Sequence, residues 1–391
     1  PPASLQRPLE IPEKVMMGAG PSNCSKRVLN ALCNTTLSNH HSELLKTLDE
    51  IKEGIQYIFQ TNSPTTMCLS SAAHGAIEAV LSNLLEDNDT VLIAMNGIWA
   101  DRAVEIATRQ GANVQKLINE HHNTAFTFDK IEQALITCQP KCLYITHGDS
   151  STGVLQPIEG LGKLCHKYNC LLLVDTVASI CGAEYKMDEW EVDATFTGSQ
   201  KVLGAPPGLA PISISDRALS TIRNRKTKCK TFYLDILLVG QYWGCFPGYR
   251  TYHHTVSSNL LFGLREALAQ VCSVGLENII ENRLLCARYL RQEIKKMGFR
   301  LYVNNPEYQL STVTTILIPS NFDWKRLLTY AMDNFSLDIS PGLGPTGGNA
   351  IRVGLMGECC TIEKVNFFKY AFKESIKATN PDYVFVELNG H

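Results

Sequence analysis

A lysine and an aspartate that follow two short apolar segments are the residues best placed to do chemistry. Asp175 closes the apolar run Leu171–Val174, and Lys201 closes Thr197-Gly198-Ser199-Gln200 after the run Ala194–Phe196. A lysine amine can form an imine with an aldehyde cofactor and then shuttle a proton at the α-carbon of an amino substrate. A carboxylate can keep a pyridine nitrogen protonated, so that the ring accepts electrons. The pair indicates chemistry on an aldehyde cofactor that contains a pyridine ring.

Each of these residues also has an ordinary structural interpretation. Asp175 could cap a turn, and Lys201 could be a surface lysine. However, the carboxyl end of a buried parallel strand is where open α/β sheets hold ligands. Gly204-Ala205-Pro206-Pro207-Gly208 further predicts a rigid turn just after the lysine. The pair in this setting favours the chemical interpretation, whereas Asp175 alone leaves the question open.

Alternating apolar runs and amphipathic stretches must position these residues. Apolar runs predict strands at 67–69, 91–94, 142–146 and 171–174. Helical periodicity extends from 26 to 59. Three further helices are predicted: one that begins near 74, one that ends near 102 and one over 159–168. Such alternation predicts an α/β fold with right-handed crossovers and a largely parallel sheet covered on both faces.

A length of 391 residues predicts more than one domain. Residues 1–20 contain four prolines and little periodicity, which indicates an N-terminal arm lying on another surface. Residues 21–275 are the predicted large domain. After them come a long helix (about 276–297), strands at 313–318 and 350–355, and helices near 323–334 and 362–377. This change of pattern predicts a smaller α+β C-terminal domain over 276–391.

The composition excludes several classes of protein. Hydrophobic residues at 45% and charged residues at 19% are typical of a globular chain. A net charge of -2 gives no reason to expect nucleic acid or an anionic membrane as partner. No apolar run approaches the roughly 20 residues that cross a bilayer. Fourteen cysteines without a short framework favour reduced thiols in an intracellular protein.

Two further patterns concern metals and location. Three pairs of adjacent histidines invite a metal interpretation, but neighbouring side chains on a strand point to opposite faces and no acid or cysteine lies at ligand spacing. We therefore expect no metal. The sequence ends Asn389-Gly390-His391, which is not a peroxisomal tripeptide of the Ser-Lys-Leu type. Peroxisome and cytoplasm both remain expected locations.

Longer motifs resemble those of the alanine–glyoxylate/serine–pyruvate aminotransferase family, class V enzymes of fold type I that use pyridoxal 5′-phosphate. These motifs are Gly18–Asn23, His147–Gly153, Asp175–Ser179, Ser199–Lys201, Tyr252–Thr255 and Gly342–Pro345. The resemblance covers essentially the whole chain, and it is strongest to the insect branch that acts on 3-hydroxykynurenine. It implies a mainly parallel seven-stranded sheet in the large domain and a homodimer with shared active sites.

The resemblance also implies roles for residues around the cofactor ring. Lys201 would carry pyridoxal phosphate as a Schiff base, and Asp175 would pair with the pyridine nitrogen. Trp99 would stack on one ring face and Val177 would pack on the other. Ser150 would hydrogen-bond to the cofactor or the substrate.

Other residues would hold the phosphate. Ala72, Ala73 and His74 would offer backbone N–H groups at the start of a helix, where the dipole favours an anion. Gln200 would add a side-chain donor, and the remaining contacts would come from the neighbouring subunit's copies of Tyr252 and Thr255. The two alanines stand where the family often has a hydroxyl or a glycine. A second departure is Ala19, which replaces a common proline.

For the substrate, the resemblance implies a clamp and a pocket wall. Arg352 would bind the α-carboxylate in bidentate fashion, although an arginine on an apolar strand could instead form a salt bridge with a neighbouring acid. Ser38 and Asn39 would line the pocket with Ser150 and Gln200. A Ser-Asn pair in a loop is also ordinary turn chemistry.

The hypothesis that follows is a ping-pong transamination. The donor would be 3-hydroxykynurenine, giving xanthurenic acid, or kynurenine, giving kynurenic acid, as in tryptophan catabolism, with glyoxylate or pyruvate as acceptor. One alternative is an alanine–glyoxylate (serine–pyruvate) aminotransferase, which would need less room beside the loop Leu37–His41. An alternative of another class is a non-catalytic homologue that keeps the fold for a binding role.

Overall fold

Residues 1–385 are described by a computed structural model, in which secondary structure follows the apolar periodicity closely. Residues 386–391, which include the C-terminal tripeptide and the end of the predicted second domain, lie outside the described residues. No helix within residues 1–385 combines the length and the apolar character that a bilayer crossing requires. The fourteen cysteines, all of which lie in this range, form no disulfide.

The α-helices are numbered in chain order. They are α1 Lys26–Leu32, α2 Ser42–Phe59, α3 Ala73–Leu84, α4 Ile98–Arg109, α5 Phe128–Cys138, α6 Leu161–Lys167, α7 Asp216–Arg223, α8 Ile236–Tyr242, α9 Ser258–Val274, α10 Leu276–Lys296, α11 Trp324–Phe335 and α12 Ile362–Thr379. Short 3-10 helices cover Ala3–Gln6, Pro306–Tyr308, Gly344–Thr346 and Gly357–Cys359.

The strands are β1 Val15–Met16, β2 Thr66–Leu69, β3 Thr90–Met95, β4 Asn113–Ile118, β5 Cys142–Thr146, β6 Gly148–Asp149, β7 Val154–Leu155, β8 Leu171–Asp175, β9 Ala194–Phe196, β10 Ala210–Ile214, β11 Arg300–Leu301, β12 Val313–Leu317, β13 Leu337–Asp338, β14 Ser340–Pro341 and β15 Ala350–Gly354.

A seven-stranded sheet forms the centre of the fold, in the order β2-β10-β9-β8-β5-β3-β4. The pairs β3–β4, β3–β5, β5–β8 and β8–β9 are parallel, whereas β10 is antiparallel to both of its neighbours. Strands β5 and β8 are wholly buried because helices cover both faces, as their unbroken apolar runs predict. The predicted fold class, an α/β fold with a mainly parallel seven-stranded sheet, is confirmed.

A second, four-stranded antiparallel sheet has the order β11-β12-β15-β14. With α10, α11 and α12 it encloses a hydrophobic cluster separate from the one around the large sheet. Met17 belongs to this second cluster, and β1 pairs with β13, so residues 15–17 pack on the C-terminal part of the chain. We propose a division near Gly275, which lies between α9 and α10.

The helical pattern predicted over 26–59 is wrong in its middle, because residues 33–41 form a loop between α1 and α2. The backbone of this loop is hydrogen-bonded to the start of α9: the Leu37 N–H donates to Ser258 Oγ (3.2 Å), and the Asn259 side chain donates to the Asn34 carbonyl. Short polar and β-branched residues such as Thr35 and Thr36 favour this extended path over a helix. The loop carries Ser38 and Asn39.

Candidate active site

The backbone around Lys201 is fixed by the hairpin that β9 makes with β10. The Thr197 N–H donates to the Pro211 carbonyl and the Ser199 N–H to the Leu209 carbonyl, at 2.9 and 3.0 Å. Ser199 Oγ donates to the Pro206 carbonyl (2.5 Å), which closes the turn that the proline-glycine sequence predicts. Lys201 is thereby held at the edge of the sheet.

The Lys201 side chain points inward and is 9% exposed. Its Nζ donates to the Ala19 carbonyl. Gly20, at φ +97°, lies so close that a Cβ there would come within 2.6 Å of Nζ. Burial, and then the positive charge of Arg352, lower the pKa of this amine to about 8, against the opposing charges of Asp175 and Asp149. An amine of this kind is neutral often enough near neutral pH to accept a proton.

Asp175 ends β8 and is 3% exposed. Its Oδ1 accepts the Val177 N–H (2.8 Å), and its Oδ2 accepts the Tyr144 hydroxyl (3.0 Å). Burial raises the pKa of the carboxyl to about 6, although both hydrogen bonds act to lower it. A cationic ring nitrogen beside Asp175 would stabilise the ionised form.

Both groups border one cavity. It is lined by Ala73, His74, Ile77, Trp99, Gly148, Ser150, Asp175, Val177, Ala178, Gln200 and Lys201. The amine and the acid therefore face a common space at the carboxyl edge of the sheet, next to an aromatic side chain. This arrangement brings together eight of the residues predicted from the sequence: Ala73, His74, Trp99, Ser150, Asp175, Val177, Gln200 and Lys201.

Two features of the cavity fit an anionic group. Helix α3 begins at Ala73 without a side-chain cap, and Ala72 is its N-cap, so the Ala73 and His74 N–H groups stay available, whereas the Gly75 N–H donates to the Ala72 carbonyl (2.8 Å). The Gln200 Oε1 is buried without a hydrogen-bond partner among the described residues. A Cβ on Gly198 would lie 2.8 Å from this oxygen and 3.3 Å from the Ala73 Cβ, so residue 198 has little room for a side chain. The α3 N–H groups make a phosphate a chemically suitable occupant. The Gln200 oxygen itself is an acceptor, so Gln200 would donate to a phosphate only with its amide rotated to bring the NH2 group forward.

Trp99 and Arg352 both donate hydrogen bonds to Ser150, which lines the cavity. The Trp99 indole Nε1 donates to Ser150 Oγ (2.9 Å), and Arg352 Nη1 donates to the Ser150 carbonyl (2.7 Å). Arg352 Nε donates to the Pro341 carbonyl (2.9 Å). No carboxylate of residues 1–385 forms a salt bridge with this guanidinium, and burial lowers its pKa to about 10. A buried arginine without a resident carboxylate can receive one from a ligand.

Six predicted residues are not among those that line this cavity: Ala72, Arg352, Ser38, Asn39, Tyr252 and Thr255. We call the last four the exposed cluster, after its three exposed members Ser38, Tyr252 and Thr255. The Tyr252 hydroxyl lies 3.1 Å from Thr255 Oγ1, and the Tyr252 side chain is 51% exposed. Asn39 is buried, and its Oδ1 accepts the Val256 N–H (3.2 Å), which joins the loop after α1 to the segment of Tyr252. Within one chain the exposed cluster does not border the cavity of Lys201.

Sequence reasoning missed several contacts of the site. Tyr144 on β5 reaches Asp175 because these neighbouring parallel strands place Tyr144 opposite Leu173, two residues before Asp175. The Ala19 carbonyl reaches Lys201 through a turn that the sequence shows only as a motif. The sequence-based prediction also leaves the buried Asp149 without a role. The sequence feature that could have pointed to Asp149 is an acidic residue within a stretch of apolar and small residues.

The histidine pairs do not gather into a metal site. Within residues 1–385 no group of three or more His, Cys, Asp or Glu side chains could hold a metal ion. His253 and His254 instead contact each other (2.8 Å between their Nδ1 atoms), and His254 contacts Ser70 Oγ (2.8 Å).

Known proteins resemble the chain over nearly its full length. Residues 18–343 match the family described as Aminotransferase class-V. The alanine–glyoxylate aminotransferase of Drosophila melanogaster is 50% identical over 380 residues, covering 97% of this chain and 96% of that protein. The Felis catus protein of the same name is 44% identical and covers 96% of this chain and 91% of its own.

The fold is shared with solved structures as well. The crystal structure of an alanine–glyoxylate aminotransferase from Nostoc sp. superposes with a TM-score of 0.92 at 36% identity, over 95% of this chain and 97% of that one.

Proposed function

The chain belongs to the class-V aminotransferase family, and we propose that it transfers an amino group from alanine to glyoxylate. The family depends on pyridoxal phosphate, so the chain is a PLP-dependent transaminase of the alanine–glyoxylate type. The choice of alanine and glyoxylate as substrates is supported by the names of its relatives. The observation that carries the proposal is the cavity that both Lys201 and Asp175 border.

Bound pyridoxal phosphate supplies an aldehyde carbon that takes up amines and a protonated pyridine ring that accepts electrons. In the proposal Asp175 holds the proton on the ring nitrogen, with Tyr144 and the Val177 N–H keeping its carboxylate in place. Trp99 and Val177, which both line the cavity, would hold the cofactor ring. The first turn of α3 and a rotated Gln200 amide would hold the phosphate.

Lys201 is the group that moves protons. Its pKa of about 8 makes the free amine a base of suitable strength to take the proton from the Cα atom of the donor. The same amine returns a proton to Cα when the acceptor is aminated. The Ala19 carbonyl, which accepts a hydrogen bond from Nζ, keeps the side chain aimed across the cavity.

Arg352 binds the α-carboxylate of the substrate. The Ser150 and Pro341 carbonyls fix the guanidinium from two sides, so its plane is set before a substrate arrives. A carboxylate bound there replaces the lost hydration of a buried cation.

The exposed cluster serves a second copy of the chain in this proposal. Tyr252 and Thr255 are too open to bind an anion strongly by themselves, and they do not border the cavity of their own chain. In a homodimer they would contact the phosphate held by the other subunit, and Ser38 and Asn39 would border its substrate pocket.

A second candidate donor is 3-hydroxykynurenine, toward which the resemblance to the insect branch points. The His40 and Tyr252 rings lie 6.4 Å apart beside the loop Leu37–His41, and this exposed aromatic edge could stack on an aryl side chain. It ranks second because the curated relatives are named for alanine and glyoxylate.

One assay separates the candidates. With glyoxylate as acceptor, kcat/KM is measured for alanine and for 3-hydroxykynurenine. We expect the higher value for alanine, and a higher value for the aryl donor would overturn that choice of donor while leaving a transaminase.

A spectrum tests the non-catalytic alternative. The wild type reconstituted with pyridoxal phosphate should absorb near 400 nm, and Lys201→Ala should lose this lysine-dependent band together with roughly 10³-fold or more of activity. The exposed loop substitution Lys228→Ala should change neither. A colourless wild-type protein would favour a binding role without catalysis.

A further inference from the structure

Asp149 is a fully buried carboxylate that the proposed reaction does not use. Its Oδ1 accepts the Ser151 N–H (2.8 Å), the Thr152 N–H (3.0 Å), and the Ser151 and Thr152 hydroxyls (2.5 and 3.2 Å). Its Oδ2 is buried without a hydrogen-bond partner among the described residues. An ionised group with one unsatisfied oxygen is costly to bury, so its presence calls for a compensating role.

The turn that Asp149 organises is hydrogen-bonded to Trp99, which lines the cavity, and to Arg352, the proposed carboxylate clamp. Ser150 accepts the Trp99 indole N–H on its hydroxyl and the Arg352 guanidinium on its carbonyl. Next in the chain, Ser151 Oγ donates to Asp149 and accepts the Ile98 N–H (3.2 Å), which lies in the first turn of α4. The positions of the aromatic plate and the carboxylate clamp thus depend on one short turn.

Helix α4 approaches this carboxylate directly. A Cβ on Gly97 would lie 2.6 Å from both Asp149 oxygens and 2.5 Å from Ser151 Oγ. Only a residue without a side chain allows this approach, although its backbone is extended and unstrained. The positive N-terminal end of α4 then faces a negative charge, which stabilises both.

The charge of Asp149 also balances the cavity. Lys201 and Arg352 are two buried cations, and Asp175 is a single buried anion beside them. Asp149 acts electrostatically on all three, favouring the protonated forms of Lys201 and Arg352. Burial raises the pKa of the Asp149 carboxyl, whereas the hydrogen bonds from Ser151 and Thr152 act to lower it. With Asp149 ionised, the four groups sum to no net charge.

We propose that Asp149 is a positioning residue of the active site: it holds the Ser150 turn so that Trp99 and Arg352 face the cavity, and its negative charge balances Lys201 and Arg352. This inference rests on the functions proposed above for Trp99 and Arg352. It assigns Asp149 no contact with substrate or cofactor.

Two variants separate the geometric part from the electrostatic part. Asp149→Ala removes the acceptor of four hydrogen bonds and should loosen the turn. Asp149→Asn keeps an oxygen for those donors but removes the charge. Asp193→Asn is the matched control, because Asp193 is equally buried and accepts the Leu172 N–H and the Ser215 hydroxyl near the start of β8, at the opposite edge of the sheet from Asp175.

Three readouts are measured on each reconstituted protein: the visible circular dichroism of the bound cofactor, its dissociation constant, and KM and kcat for alanine. Asp149→Ala should weaken the dichroism. It should also raise the dissociation constant of the cofactor roughly tenfold and KM for alanine roughly tenfold. Asp149→Asn should keep KM within about threefold but move the pH midpoint of the cofactor band to lower pH, because Lys201, which faces Arg352, Asp175 and Asp149, loses one anion.

A purely structural Asp149 would give a different result. Both variants would then lose only thermal stability, as Asp193→Asn should, with dichroism, pH midpoint and KM unchanged, and the inference would be wrong. The dichroism and the dissociation constant need no amino donor, so they stay decisive even if alanine is not the substrate. If the wild type binds no cofactor, it is the proposed function that fails.

Discussion

The cavity around Lys201 and the exposed cluster around Tyr252 differ in burial, although both are predicted to serve one cofactor. Lys201, Asp175 and Arg352 are each at most 9% exposed, and their hydrogen bonds come from backbone groups and one tyrosine of the same chain. Tyr252 is 51% exposed and contacts Thr255.

We propose that the difference follows from the separate roles of the two regions. Proton transfer and carboxylate binding gain strength when the charged groups are removed from water and held rigidly, and a single folded chain can supply this. Contacts that complete a site from a second subunit must instead stay on the surface until the subunits meet. The comparison therefore predicts strong chemical defects from changes in the cavity and weaker binding defects from changes in the exposed cluster.

The largest effect among these tests should come from Arg352→Gln. Loss of a charged, preoriented donor pair should raise KM for alanine roughly 100-fold, whereas the near-400 nm band of the bound cofactor should remain. Steady-state kinetics and the absorption spectrum measure the two quantities. Arg291→Gln is the control, because Arg291 is also buried and donates to a carbonyl, that of Leu310. If KM changed less than twofold, Arg352 would not be the carboxylate clamp.

An intermediate effect is expected when the exposed cluster is altered. The double variant Tyr252→Phe with Thr255→Ala should raise the dissociation constant of pyridoxal phosphate roughly tenfold, because two hydroxyl donors to its phosphate are lost. Equilibrium binding to the apoprotein measures this constant, and Tyr249→Phe, at a residue 94% exposed, is the control. An unchanged constant would remove the exposed cluster from the cofactor site.

Mixed dimers sharpen the same test. If the cluster serves the other subunit, Lys201→Ala subunits mixed with the double variant form one site that has both Lys201 and the two hydroxyls. Tight cofactor binding should then return in part. Its absence in a stable mixed dimer would place the cluster in its own chain's site.

The smallest effect should be a change in apoprotein stability. The pKa of Asp175 is raised in the folded state to about 6 from an ordinary value near 3.8, so its ionised form opposes folding above pH 6 and this penalty fades as pH falls toward 4. Asp175→Asn should therefore raise the Tm of the apoprotein by roughly 2–4 °C at pH 7.5 and have little effect at pH 4.5. Calorimetry at both pH values tests this, and a lower Tm at pH 7.5 would show that the carboxylate stabilises the fold.

Much of the cavity could be predicted because strand ends and their polar residues are local features of a sequence. The run Leu171–Val174 predicted where Asp175 would lie, and the turn after Lys201 fixed that side chain. Contacts between distant segments could not be predicted in the same way. Tyr144 meets Asp175 only through strand register, and Ala19 meets Lys201 through a turn far away in the sequence.

The loop between α1 and α2 shows a second limit. Apolar spacing favours a continuous helix over 26–59, but tertiary hydrogen bonds to α9 hold residues 34–37 in an extended path. Local periodicity carries no information about such partners. The position of the exposed cluster relative to another subunit is likewise a property of an assembly, which one chain's sequence pattern does not encode.

The assignment of Lys201 as the cofactor-binding lysine can be tested by chemical identification of the lysine that holds the cofactor. The wild type is reconstituted with pyridoxal phosphate, reduced with borohydride, digested and analysed by mass spectrometry. We expect one phosphopyridoxyl group per chain, carried by Lys201, and an unlabelled peptide at this position in Lys201→Ala. Stoichiometric label on any other lysine of the wild type would contradict it.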